Sequence, residues 1–224
     1  MTSGTIDRHS LLALCVALAT VAATFFASPA GAADSETRTT PPFHAVAFAG
    51  SWTVDVKVGG PISVVIEGNK DVIAKVKTEV VDGELRIGIE RGPSLLFNDL
   101  DVHGLKAHIT VPELTAFALK GSGTADIAGL SGGDVKFVLD GSGDLTAKGK
   151  VDSLSLAVNG SGTADLGGLE TAKASAMVNG SGDAIVDPRE TLAATVNGSG
   201  QVNYVHEGAK VTSVIHGSGV VDKK

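Results

Sequence analysis

The stretch FVLDGSGDLTAKGKVDSLSLAVNGSG, residues 137–162, decides the fold. Phe137 and Leu139 share one parity, as residues of a strand with one buried face do. Gly141-Ser142-Gly143 breaks the run, and Leu145 and Ala147 then resume the alternation. After Gly149 the pattern starts again. Leu156 and Val158 stand where Phe137 and Leu139 stood, and Gly160-Ser161-Gly162 closes the unit. Gly-Ser-Gly occurs six times, beginning at Gly121, Gly141, Gly160, Gly180, Gly198 and Gly217, with steps of 20, 19, 20, 18 and 19 residues. A fixed period near twenty means one unit stacked on copies of itself, each burying its apolar face only against its neighbours.

Aligned on the corners, the repeats expose the inside of the stack. Two positions before each first glycine stand Leu119, Leu139, Val158, Val178, Val196 and Ile215. Four before stand Phe117, Phe137, Leu156, Ala176, Ala194 and Ser213, so the core is expected to narrow toward the C-terminus. A second strand follows each of the first five triplets, and a second turn comes at Gly129, Gly149, Gly167-Gly168, Asp187-Pro188 and Gly208. No stretch of this half has helical periodicity. Strands stacked coil on coil lie about 4.8 Å apart, so six corners predict a column roughly 24 Å tall. Asn159, Asn179 and Asn197 precede three consecutive corners, which places their amides for a hydrogen-bonded ladder, and the serines are placed for another. Each of these asparagines also begins an Asn-Gly-Ser sequon, for which ladder duty is the better account.

The segment from Phe43 to Leu119 is less periodic but still β-rich. Trp52, Val54, Val56 and Val58 share one parity, as do Ile62, Val64 and Ile66, then Leu85, Ile87 and Ile89, then Ala107, Ile109 and Val111. Asn69 to Lys77 reads as a short helix or a turn. The segment is expected to open the same body and cover its N-terminal end, and residues 34–42 read as a polar linker. The fold class is therefore all-β, a solenoid over residues 43–222 with a less regular N-terminal part.

Taken together these segments resemble the putative auto-transporter adhesin family with a head GIN domain. The likeness rests on Ser51-Trp52-Thr53-Val54-Asp55-Val56, Ile62-Ser63-Val64-Val65-Ile66-Glu67-Gly68 and Val81-Asp82-Gly83-Glu84-Leu85-Arg86-Ile87. It continues through Ile109-Thr110-Val111-Pro112-Glu113-Leu114 into the repeated corners, and so covers nearly the whole chain after residue 33. The resemblance implies a single-stranded, right-handed β-helix-like fold in a secreted or envelope-associated bacterial protein. It implies neither an enzyme activity nor an established ligand. After the last corner the sequence has no room for a membrane-spanning translocator barrel, so self-export is not expected.

The N-terminus reads as an address. Arg8 and His9 precede an apolar run from Leu11 to Ala27, and Ser28-Pro29-Ala30-Gly31-Ala32-Ala33 follows, the form of a secretory signal peptide over 1–33 cleaved after Ala32 or Ala33. No membrane span is expected once it is removed. The only cysteine, Cys15, lies inside it behind the bulky Leu14, so a lipid anchor is not expected, and the expected mature chain has no disulfide or thiol chemistry. A net charge of −7 argues against nucleic acid. Aromatic residues make up 4% of the chain and hydrophobic ones 43%, enough for a β core but not for an aromatic-rich binding face.

Candidate sites are few, and none is assigned a catalytic, cofactor or metal role. Gly129-Leu130-Ser131-Gly132-Gly133 matches the nucleophile-elbow pattern, but a strand rather than the required helix is expected after it. Asp126, Asp144, Asp165 and Asp183 lie past four successive corners, at alternating third and first positions. Avoidance of like-charge stacking explains them more simply than a calcium stripe, because Ca²⁺ takes six or more oxygens. Trp52 and Tyr204 share parity with core residues and are expected inside, which leaves no aromatic platform for sugar. His103 and His108, with Asp101, read as solvated loop residues. Arg91 to Gly104, with Leu95-Leu96-Phe97 and Leu100, is expected to fold over the core, the alternative being a partner-binding loop. These observations favour a non-enzymatic, exported adhesion or scaffold module with a protein or surface partner. The alternative is a polysaccharide-acting β-helix enzyme. The strand edge near Val220-Val221 makes end-to-end self-association a further expectation.

Overall fold

Residues 34–89 and 102–224 are described by the computed structural model. The expected signal peptide and the segment 90–101, which holds Leu95-Leu96-Phe97, Leu100 and Asp101, lie outside the described residues. The N-terminal part forms β1 (Asp34–Arg38), β2 (Ala45–Gly50), β3 (Thr53–Val58) and β4 (Ser63–Gly68). Then come α1 (Lys70–Ile73), β5 (Val76–Val81), β6 (Glu84–Ile89) and β7 (Lys106–Val111). The repeats form β8 (Ala116–Gly121), β9 (Thr124–Ser131), β10 (Asp134–Gly141), β11 (Asp144–Gly160) and β12 (Thr163–Gly180). They end in β13 (Asp183–Gly198), β14 (Gln201–Tyr204), β15 (Lys210–Gly217) and β16 (Val220–Lys223).

The expected solenoid is present. On one face β8, β10, the second halves of β11, β12 and β13, and β15 stack in parallel. On the other, β9, the first halves of β11, β12 and β13, then β14 and β16 do the same. Phe117, Phe137, Leu119, Leu139, Val158, Val178 and Val196 line the interior at 1% exposure or less. Full burial of each such side chain contributes about 1.5–3 kcal/mol, and this repeated row holds the coils together.

At the N-terminal end the order in space departs from the order in sequence. β2 lies between β8 and β6, and β3 lies between β9 and β7. The coil of residues 45–58 is therefore sandwiched between β6 and β7 on one side and the first Gly-Ser-Gly coil on the other. Its corner, Gly50-Ser51-Trp52, is a seventh corner with Trp52 in place of the last glycine, and Gly50 is in register with Gly121. Trp52 is 4% exposed, and its ring meets Phe48 edge to face at 4.7 Å. Beyond the outer coil, β4 runs antiparallel to β7, β1 antiparallel to β4, and β5 antiparallel to β6. The stretch from Asn69 to Lys77, read as a short helix or a turn, contains the helix α1, capped by the Asn69 side chain accepting from the Asp71 amide at 2.9 Å. With Val72 and Ile73 buried, it covers this end as expected.

Three expectations need correction. Asp34–Arg38, read as part of a linker, is the strand β1, because its backbone finds partners along β4. The second turns expected at Gly149, Gly167-Gly168 and Asp187-Pro188 do not break the strands, since β11, β12 and β13 each run through them. The register shifts there instead, between Thr146 and Lys148, Leu166 and Glu170, and Thr171 and Lys173. Bulges of this kind absorb extra residues while pairing continues, which is how coils of unequal length stay stacked. Finally, the inward rows do not stay buried to their end: Ile215 is 42% exposed and Ser213 is exposed, because no further coil lies on β15 among the described residues.

Candidate functional site

The corners are a ridge whose geometry is forced by stacking. From Gly121 onward the first glycine of every triplet has φ between 119° and 135°, a region that a side chain disfavours. A Cβ on Gly141 would also run into the carbonyl oxygen of Gly121, and one on Gly143 into that of Gly123. Between the glycines, the Ser142 amide donates to Gly121 O at 3.0 Å and the Ser181 amide to Gly160 O at 2.9 Å. The serine side chains are exposed, and among the described residues they form no hydroxyl ladder of the kind expected.

The asparagine ladder is present, one residue before the corners. Asn197 Nδ2 donates to Asn179 Oδ1 at 2.7 Å, Asn179 Nδ2 to Asn159 Oδ1 at 2.8 Å, and Asn159 Nδ2 to Asp140 Oδ1 at 2.7 Å. Three amides thus point the same way and end on a carboxylate, an arrangement in which each bond polarises the next. The row continues to Lys120 beyond Asp140 and to His216 beyond Asn197.

On the other face the aspartates form a checkerboard with threonine. Asp144 lies between Thr124 and Thr163, and Asp183 faces Thr163. Thr146 lies between Asp126 and Asp165, and its hydroxyl donates to Asp126 Oδ1. Neutral threonine therefore separates the carboxylates by two strand spacings, about 9.6 Å, as the like-charge argument requires.

One pair breaks that rule, and the sequence reading missed it. Asp55 on β3 stands directly opposite Asp126 on β9. The next residue along this row is His108, which belongs to β7 and not to a loop. Its Nδ1 lies 3.1 Å from Asp55 Oδ2 and its Nε2 lies 3.3 Å from Glu67 Oε2, so the ring is clasped from both sides. Lys57, Lys148 and Thr146 join Asp55, His108 and Asp126 around a groove of about 520 Å³. Spacing in the sequence could not signal this cluster, because Asp55 and Asp126 meet only through the inserted coil. His103 is in an exposed turn.

A second charged row follows the bends. Lys150 Nζ meets Glu170 Oε1 at 2.7 Å, and Arg189 Nη2 meets Glu170 Oε2 at 3.1 Å and Asp187 Oδ2 at 2.9 Å. Arg189 Nη1 also donates to His206 Nδ1 at 2.9 Å. The Lys150 hydrogen bond, aided by the Arg189 charge, holds the Glu170 carboxyl below its usual 4.5. Lys223 does the same for Glu207.

Other expectations resolve as follows. Ser131 ends β9, and the chain turns at Gly132-Gly133 into β10, so the helix a nucleophile elbow needs is not there. Trp52 points inside as expected, whereas Tyr204 is only half-buried. No helix among the described residues is long and apolar enough to cross a membrane.

A parallel β-solenoid with Gly-Ser-Gly corners, an outward amide ladder and an acidic checkerboard defines a class of stacked-repeat proteins. The family model described as "Putative auto-transporter adhesin, head GIN domain" matches residues 42–208, and the chain belongs to that family. No curated protein is significantly similar to it. Among solved structures, a "putative adhesin" from Bacteroides fragilis is 18% identical, with a TM-score of 0.64 over 88% of this chain and 99% of that one. A "putative lipid binding protein" from Parabacteroides distasonis is 20% identical, with a TM-score of 0.50 over 87% of this chain and 98% of that one. A "putative adhesin" from Parabacteroides merdae is 18% identical, with a TM-score of 0.50 over 87% and 97%. At these identities the likeness is one of fold.

Proposed function

We propose that this protein is a non-enzymatic, exported adhesion module that presents its solenoid faces to a protein or a cell surface. The observation that carries the reading is the in-register outer row Asp140, Asn159, Asn179 and Asn197, whose side chains are locked to one another. Such a row meets a partner without first losing rotamer freedom, so less of the contact energy is spent on ordering. The adhesin description of the family supports a role at the cell surface or envelope, and the N-terminal signal-like segment supports export.

The test is direct. Labelling of intact cells with a membrane-impermeant reagent should modify the protein, and the purified protein should bind those cells saturably. Replacing Asn159 and Asn179 together with alanine should weaken that binding while the β-rich circular dichroism spectrum stays unchanged. Protection from the label, or cleavage of a polysaccharide panel by the purified protein, would overturn the reading in favour of an internal or an enzymatic role.

A further inference from the structure

The two ends of the column are unlike. At the N-terminal end, β1 sets Glu36 and Arg38 in line with core residues: Glu36 pairs with Ile66, which pairs with Ala107, and Arg38 pairs with Val64, which pairs with Ile109. The two charges meet at 3.1 Å, Arg38 also donates to Ile73 O at 3.0 Å, and α1 packs alongside with Val72 and Ile73 buried. A charged pair on the edge strand, with Arg38 half-buried and bonded to the helix, guards a sheet end against further strands.

At the C-terminal end no helix covers the column among the described residues, and a single paired charge, Lys223 with Glu207, stands in line with a core row. β15 pairs only with β13, and β16 only with β14, so their other edges are unpaired among the described residues. The large hydrophobic side chains exposed among the described residues are Met177, Val205, Val214, Ile215 and Val220, and all but Met177 lie in the last two coils. Between Val211 and Val221 the chain carries no Asp, Glu, Lys or Arg, so the charges that usually guard a free edge are missing. Ile215 continues a row whose previous members, Leu119, Leu139, Val158, Val178 and Val196, are completely buried.

We infer that this end docks a second copy of the chain, tail to tail across a two-fold axis, so that two half-open cores close on each other. The core-facing set of β15, Val211, Ser213 and Ile215, is symmetric about Ser213. An antiparallel copy turned about that residue sets Val211 against the partner's Ile215, Ser213 against its own counterpart, and Thr212 against the partner's Val214. Lys210 then comes opposite His216, and no acid meets an acid on this strand. Strand addition of this kind supplies main-chain hydrogen bonds as well as apolar contact. Head-to-tail stacking is the poorer fit. It places Arg38 over the row that ends in Lys223, the fourth residue after its corner, cation against cation, and it leads to open fibres where a two-fold contact closes.

The test is sedimentation velocity on the purified protein over a range of concentrations. A monomer–dimer equilibrium is expected, with Ile215→Arg weakening it roughly tenfold or more, as loss of a central apolar contact does. Since Ile215 is already 42% exposed, that variant should unfold at nearly the wild-type temperature when both are monomeric, which separates lost docking from misfolding. Ser213→Cys in a Cys15→Ser background should form an interchain disulfide under mild oxidation, because directly opposed antiparallel residues lie about 5.5 Å or less apart at Cα. Each of the following would overturn the inference: a monomer at every concentration, assemblies growing beyond the dimer, a dimer indifferent to Ile215→Arg, or no interchain cross-link in the Ser213→Cys variant.

Discussion

Asn179 donates its side-chain amide to Asn159 Oδ1 at 2.8 Å across two neighbouring coils, and it accepts in turn from Asn197 at 2.7 Å. Because the central members Asn159 and Asn179 each give and take, removing one of them breaks two bonds. Asn179→Ala should therefore lower stability by about 1–3 kcal/mol, at about 0.5–1.5 kcal/mol per bond. Asn197→Ala, which ends the ladder, should cost about half as much. Chemical denaturation of the two variants and of the double variant would measure the coupling, and strictly additive effects would rule out a cooperative ladder.

The corner glycines are expected to tolerate nothing larger. Gly160 has φ 128°, and a side chain there would also meet the Gly141 carbonyl oxygen. Gly160→Ala should cost well over about 1 kcal/mol. Gly132 has φ 69° but open space around it, so Gly132→Ala carries backbone strain alone and should cost less. Equal losses in thermal unfolding would show that close stacking is not what requires glycine at the corner.

Position along the column should set the cost of truncating its apolar row. Leu139 is fully buried, and Leu139→Ala should destabilise by about 2–5 kcal/mol. Ile215 occupies the same place in the repeat at 42% exposure, and Ile215→Ala should cost less than about 1 kcal/mol in the monomer. Comparable losses would mean that something covers Ile215.

Acid should loosen the bends first. Glu170 and Glu207 have carboxyl pKa values lowered in the folded protein by hydrogen bonds from Lys150 and Lys223. A lowered folded value stabilises above the ordinary 4.5 and is lost as pH falls through the folded value, so the melting temperature should start to drop below about pH 4.5. Glu170→Gln should flatten that decline, and added salt should weaken it, because both groups are exposed. A decline unchanged in Glu170→Gln would place the acid sensitivity elsewhere.

Much of this could be read from local pattern. The step of eighteen to twenty residues, the paired core positions before each corner and the preceding asparagines lie within one repeat of each other. Stacking turns a local period directly into contacts, so the core row, the amide ladder and the staggering of the four aspartates followed from spacing, whereas the threonines between them were found in the structure. Each bend was marked by glycine or Asp-Pro in the sequence. That the strand would bulge through it was not, because a bulge and a turn share that composition.

By itself, the sequence determined a stack of like coils with glycine at every corner, because each coil only has to match its neighbour. Only the tertiary structure decided that the coil of residues 45–58 slides between two later ones, which sets Gly50 beside Gly121 and Asp55 beside Asp126. Those outcomes turn on pairings between segments some seventy residues apart, where many strands of equal apolar pattern could have been neighbours and only the summed packing of the whole column selects among them.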